Sequence, residues 1–120
     1  MTSPEKTYTP DQIHDYLAKN LLGWTYQDNN IQRTFKTGGW PYTLMAVNAI
    51  GYLCEAAWHH PELVVTWAQL IVKLDTHSAK GITDKDFELA TKIENQIPWL
   101  PTDEQALTGF HKGFKKKWIR

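Results

Sequence analysis

The sequence predicts an α+β fold: a two-layer domain in which helices lie on one face of a four-stranded antiparallel sheet, in the order α-β-β-α-β-β-α. Three observations predict it. Apolar residues recur at helical spacing in three separate segments. Between them lie β-rich runs that read as pairs of short strands. Paired strands separated by helices, rather than single strands alternating with them, favour an antiparallel sheet over a parallel one.

The elements follow in order. Thr9-Pro10-Asp11-Gln12 reads as an N-cap, a proline at the first helical position and an early acid, and Ile13, Leu17 and Leu21 then recur every fourth residue. A first helix is expected over about 10–21, stopped by Gly23. Trp24-Thr-Tyr-Gln and Ile31-Gln-Arg-Thr-Phe35 alternate about the turn residues Asp28-Asn29, as in a β-hairpin. From Trp40 to Trp58, Ala46, Ile50, Leu53 and Ala57 share one helical face with Ala49, Tyr52 and Ala56 beside them, so this second helix is expected to be largely buried. Pro61 and the residue before it mark its end. Leu63 to Asp75, rich in valine, isoleucine and leucine, supplies one long strand or two broken near Ala68-Gln69. Thr83-Asp-Lys-Asp86 opens a third helix through Phe87, Ala90 and Ile93 that ends before Pro98. Thr102 is read as the cap of a short last helix through Ala106, Leu107 and Phe110, with fraying from Gly113.

The chain of 120 residues is read as a single domain, with a core over about 10–97 and a C-terminal extension over 98–120. Apolar residues at 42% and charged residues at 22% fit a folded globule and exclude a disordered one. Thirteen basic residues balance thirteen acidic ones, so no overall field draws the molecule to nucleic acid or an anionic membrane. The basic residues crowd towards the end, where Lys112, Lys115, Lys116, Lys117 and Arg120 are read as a solvated tail. Cys54 is the only cysteine and sits in an apolar helical pattern, so no internal disulfide forms. The N-terminus lacks the basic start and apolar run of a secretion signal, and no apolar stretch is long enough to span a bilayer; a cytoplasmic location is expected. Six tryptophans in so short a chain suggest that part of this surface is an oligomer interface.

The chemistry is concentrated in Glu55-Ala-Ala-Trp-His59-His60-Pro61 and Thr76-His77-Ser78, where three of the five histidines fall within nineteen positions. Imidazole, with an ordinary pKa of about 6.5, both gives and takes a proton near neutral pH. Plainer readings stand beside this one. A histidine pair at a helix end caps carbonyls, Glu55 fits a solvated helix face, Trp67 alternates with Val65 and Ile71 as a core residue would, and Asp86 closes a capping box with Thr83. Three histidines also suit zinc, but adjacent His59 and His60 splay apart and the usual helical His-x₃-His spacing is missing, so no metal site is assigned.

On these residues the chain resembles the pterin-4a-carbinolamine dehydratases, also called 4a-hydroxytetrahydrobiopterin dehydratases. The family pattern is an acidic residue, three positions, His, His, Pro, five or six positions, an aromatic, nine positions, His, then an aspartate. Glu55, His59, His60, Pro61, Trp67, His77 and Asp86 match every interval. The resemblance runs from about Leu22 to the Asp86-Phe87 helix start, some two thirds of the chain, and implies the fold order read above. Two features depart from it: Lys80, where many relatives carry glycine, and the tail beyond Pro98.

The resemblance implies removal of water from a 4a-hydroxytetrahydropterin, the product left by aromatic amino-acid hydroxylases, with no metal or redox cofactor. It implies that His60 and His77 are acid and base, that His59 places the pterin and shares in proton transfer, and that Glu55 fixes an imidazole. It further implies substrate contacts at Pro61, Trp67, Thr76, Ser78 and Asp86, the main chain about Thr76-His77-Ser78 bonding the pterin edge. A homodimer or a dimer of dimers is implied as well. The alternative is a non-catalytic interaction protein on the same fold, a dimerisation cofactor or assembly factor, with the aromatic and basic tail over 110–118 as its partner surface. The intact His-His-Pro run favours the enzyme.

Overall fold

The computed structural model describes residues 5–102, 106–109 and 118–120. Helix α1 spans Pro10–Asn20, strands β1 Trp24–Gln27 and β2 Asn30–Lys36, helix α2 Trp40–Ala57, strands β3 Glu62–Thr66 and β4 Gln69–Leu74, and helix α3 Asp84–Gln96, preceded by one 3₁₀ turn at His77–Ala79. The sheet has the order β1-β2-β4-β3 with every pair antiparallel. This is the α+β arrangement the sequence predicts.

Local chemistry sets the boundaries. Thr9 and Gln12 form a reciprocal capping box at the start of α1, with Pro10 in the first turn. Asp28 and Asn29 both take the left-handed backbone (φ 53° and 63°) that a tight two-residue hairpin requires, which short polar side chains tolerate better than most. The β2–β4 register aligns Ile31 with Leu74 and Phe35 with Leu70, so these four fully buried side chains occupy one sheet face. Ile13, Leu17, Ile50, Phe87, Ala90 and Ile93 join them from the three helices in one core. Each fully buried large aliphatic or aromatic side chain there contributes about 1.5–3 kcal/mol.

Two expectations need correction. Helix α2 is not largely buried: Thr43, Ala46, Ile50 and Cys54 are, but Leu44, Met45 and Tyr52 are exposed, Tyr52 at 76%. Only a stripe repeating every three to four residues can face one sheet, and the remainder of α2, uncharged but for Glu55, stands outside it. No last helix runs through Ala106 and Leu107: residues 106–109 are non-helical, with Gly109 left-handed at φ 75°. Phe110 and Gly113 lie outside the described residues. The end of the tail is docked, since Lys36 and Arg120 exchange two backbone hydrogen bonds of 2.8 and 2.9 Å. Strand β1 pairs with β2 only as far as Arg33, and Arg120 takes up the edge that β1 leaves open, with Ile119 buried beside it.

Cys54 lies in the α2 core stripe, and burial pushes its thiol up to about 11. At pH 8 a thiol with that pKa is ionised in only about one molecule in a thousand. An alkylating reagent is therefore expected to leave the native protein unlabelled and to modify one thiol per chain in denaturant, as mass spectrometry would show. Labelling of the native chain at a free-thiol rate would mean that α2 opens locally.

Candidate active site

Helix α2 ends in an unusual way. Trp58, just beyond it, adopts the left-handed conformation (φ 53°, ψ 48°), and its N–H bonds back to the carbonyls of Cys54 and Glu55. The N–H of His59 also returns to Cys54 O, at 3.1 Å. This closes the last helical carbonyls without a glycine, at a conformational cost of about 1–2 kcal/mol for an ordinary L-residue. The chain thereby turns sharply, and the two histidines that follow diverge. His59 turns inward, its side chain 12% exposed, and His60 outward at 51%.

Each finds a carboxylate. His60 Nε2 lies 2.8 Å from Glu55 Oε1, a helix turn back on an exposed surface. The His60 ring also meets the Trp58 ring edge-to-face, with centroids 5.0 Å apart. His59 Nε2 lies 2.6 Å from Oδ1 of Asp86, which is wholly buried. The other Asp86 oxygen, Oδ2, accepts the Thr83 N–H at 2.9 Å and the Thr76 hydroxyl at 2.7 Å. Asp86 thus closes the α3 capping box with one oxygen and holds an imidazole with the other. Because Nε2–H donates to this carboxylate, a neutral His59 keeps its lone pair on Nδ1.

The opposite wall comes from the end of β4. Thr76 and Gly81 bridge antiparallel, enclosing the 3₁₀ turn that carries His77 and Ser78. The turn closes through Lys80 in the left-handed region (φ 56°), which accounts for glycine as the more comfortable residue there. Between the walls lies a cavity of about 380 Å³ lined by Trp58, His59, His60, Asp75, Thr76, His77, Ser78 and Lys85.

The fold therefore brings together His59, His60, His77, Thr76 and Ser78, with Glu55 and Asp86 reaching the cavity through the imidazoles they bond. Four expectations change. Asp86 is 0% exposed and buried behind His59, so it has no surface with which to touch a substrate. Trp67 sits in the β3–β4 turn, 70% exposed in a different cleft with Lys36 and Arg120. The six residues of β4, about 20 Å of strand, separate it from His77 within the chain. Thr76 has its N–H bonded to Gly81 O and its carbonyl taken by Ala79 and Gly81, which leaves main-chain recognition to His77 and Ser78. Pro61 is not among the lining residues; it carries the chain from His60 into β3.

Trp58 and Lys85 line the cavity without having been singled out. Nothing in the local sequence marks a tryptophan as a left-handed cap, and a lysine one residue into a helix reads as solvated. Among the described residues no three His, Cys, Asp or Glu side chains are grouped to hold a metal ion. Nor, among them, is any helix long and apolar enough to cross a membrane.

Comparisons with known proteins show the family and the fold. The family model described as pterin 4 alpha carbinolamine dehydratase matches residues 6–96. A protein of Aquifex aeolicus (strain VF5), provisionally named as a pterin-4-alpha-carbinolamine dehydratase, is 46% identical over 79 residues, covering 66% of this chain and 80% of the relative. A protein of the same provisional name from Roseiflexus sp. (strain RS-1) is 43% identical over 75 residues, 62% of this chain and 81% of the relative. Among solved structures, one described as a transcriptional coactivator/pterin dehydratase from Brucella melitensis superposes with a TM-score of 0.68 at 26% identity, covering 74% of this chain and 96% of its own.

Proposed function

The chain belongs to the pterin 4 alpha carbinolamine dehydratase family, and from that premise we propose that it dehydrates a 4a-hydroxytetrahydropterin to the quinonoid dihydropterin by histidine acid–base catalysis. One observation carries the reading: three imidazoles line one cleft, two of them backed by carboxylates.

The reaction breaks the C4a–O bond and the adjacent N5–H bond, forms a C4a=N5 double bond, and releases water. A donor must protonate the departing hydroxyl while an acceptor takes the N5 proton. Each well-placed transfer of this kind is worth about 10²- to 10⁴-fold. His60 and His77, on opposite walls, exchange these two protons in our reading. His59, locked by Asp86, places the ring and shares in the transfer, and Glu55 fixes the tautomer of His60. The His77 carbonyl is taken by the Lys80 N–H, so the His77 N–H and the Ser78 main chain face the pterin edge in this reading. No metal or redox cofactor enters the step. The setting we propose is recycling of the pterin used by aromatic amino-acid hydroxylases, in the cytoplasm, by a homodimer or homotetramer.

The decay of a 4a-hydroxytetrahydropterin, generated in place by an aromatic hydroxylase and followed by ultraviolet absorbance, tests the reading. The native chain is expected to accelerate it, and His60→Ala and His77→Ala each to lose about 10²-fold or more of that acceleration. Unaccelerated decay with folded protein would sink the proposal. It would favour the second reading, a partner-binding role of the kind named first for the Brucella melitensis structure.

A further inference from the structure

The segment over residues 5–9 is fixed against the start of α3. The Tyr8 N–H donates to Ile82 O at 2.9 Å, and the Tyr8 hydroxyl donates to Asp84 Oδ1. The Tyr8 ring meets Phe87 edge-to-face, with centroids 5.0 Å apart. A Cβ on Gly81 would stand 3.1 Å from the Thr7 methyl carbon, so glycine there lets the two stretches close up. From this anchored segment Glu5 ion-pairs with Lys85, which lines the histidine cavity. We infer that Glu5 is a positioning residue for the dehydration: it anchors and neutralises the Lys85 ammonium at the cavity wall, and so keeps an unbalanced cation off His60 and His77. The inference rests on the dehydratase reading and adds to it a residue outside the stretch, 6–96, that the family model matches.

Two observations lead to it. Lys85 stands in the first turn of α3, where a cation works against the helix dipole, and the neighbouring Asp84 is already bonded to Tyr8. A charge disfavoured by its own helix is thus held by a carboxylate from a distant part of the chain. Lys85 also shares one cavity of about 380 Å³ with all three imidazoles, so its charge acts on them over a short path. An uncompensated ammonium in that wall disfavours every protonated imidazole, and the dehydration needs one imidazole to give a proton while another takes one. The other charged groups about the site are Glu55 bonded to His60, Asp86 bonded to His59, and Asp75 in the cavity wall. Glu88 and Lys92 line a neighbouring groove that also takes in Lys85. All of these stay the same when only Glu5 or Lys85 is changed.

The pH profile of kcat/KM for a 4a-hydroxytetrahydropterin, measured on the native chain, Glu5→Gln, Lys85→Gln and the double variant, supplies the test. Glu5→Gln leaves the imidazoles facing an uncompensated cation and is expected to move the profile about half a unit to lower pH. Lys85→Gln strands the carboxylate instead and should move it to higher pH by at least as much, with the double variant between the two. A purely structural role would lower activity without moving the profiles in opposite directions. Folded, active single variants whose profiles coincide, or shift the same way, overturn the role of Glu5 and leave the dehydratase reading standing; circular dichroism checks the fold. Titration of the His60 and His77 ring protons by NMR, without substrate, makes the same comparison independently of turnover, and coincident curves there also overturn the inference. No turnover by the native chain overturns the dehydratase reading, and the part of Glu5 in it, even where those titrations diverge.

Discussion

Asp86→Asn is expected to fold like the parent and, on the acid–base reading, to dehydrate its substrate about 10³-fold more slowly. The reason lies in which way each hydrogen points. Thr76 donates its one hydroxyl proton to Asp86 Oδ2, so the 2.7 Å contact between the Thr76 and Thr83 hydroxyls must be donated by Thr83. The Thr83 oxygen is in turn free to accept the Lys85 N–H at 3.3 Å. Oδ2 also accepts the Thr83 N–H. With two donors aimed at it, that position in an asparagine must be the amide oxygen, and the NH₂ group then faces His59. His59 Nε2 must accept rather than donate, and its proton moves to Nδ1. The same atoms pack in the same places with the imidazole in the wrong tautomer. In the Ser-His-Asp hydrolases such a reversal costs about 10⁴-fold. We expect somewhat less, because His60 and His77 remain. Asp86→Ala has a different result: it abandons three donors around a fully buried site and should cost about 3–5 kcal/mol in a denaturant titration. A variant Asp86→Asn that turns over at the parent rate would show that the His59 tautomer is not used.

The same aspartate shows how much of the site the sequence carried. His59, His60, His77, Glu55 and Asp86 were legible because each is fixed by spacing along a helix end or a strand end. The α1 cap and the Asp28-Asn29 turn were legible for the same local reason. What spacing does not carry is direction. Asp86 had two readings, cap and site, and it serves both because it has two oxygens pointing different ways. Trp67 shares the motif, yet the hairpin carries it to the far end of β4. The exposed face of α2 reads as buried in sequence, because a helix whose one charge, Glu55, lies at its end looks the same whether or not anything covers it. Trp58 was invisible as a cap, since its left-handed backbone runs against its intrinsic preference.

Glu94 illustrates the contacts that no local pattern announces, and Glu94→Ala is expected to cost about 3 kcal/mol of stability. Its Oε1 accepts both the Trp24 indole N–H and Arg33 Nε–H at 2.8 Å, and its Oε2 accepts a second Arg33 nitrogen at 3.2 Å. The partners lie 70 and 61 positions away in sequence, and together they tie α3 to β1 and β2. Arg33 stacks over the buried Phe35 at 4.2 Å, and Gly23 keeps clear the space where a Cβ would meet Arg33 Nε at 2.7 Å. Truncating the acid leaves two guanidinium donors and an indole N–H unsatisfied in a largely enclosed place, while the third Arg33 nitrogen keeps its bond to the Thr34 carbonyl. Exposure of 14% and 27% for the paired side chains keeps this well below the cost in a dry core but above that of a surface pair. Glu94→Gln should recover only part of the loss, because its NH₂ faces an Arg33 donor. Eight residues, about 12 Å of helix, separate Glu94 from Asp86, so turnover per folded molecule should be unaffected. Chemical denaturation of the three proteins decides it. A change below about 0.5 kcal/mol for the alanine variant would place the pair among ordinary solvated surface pairs and remove it from the account of how α3 is held against the sheet.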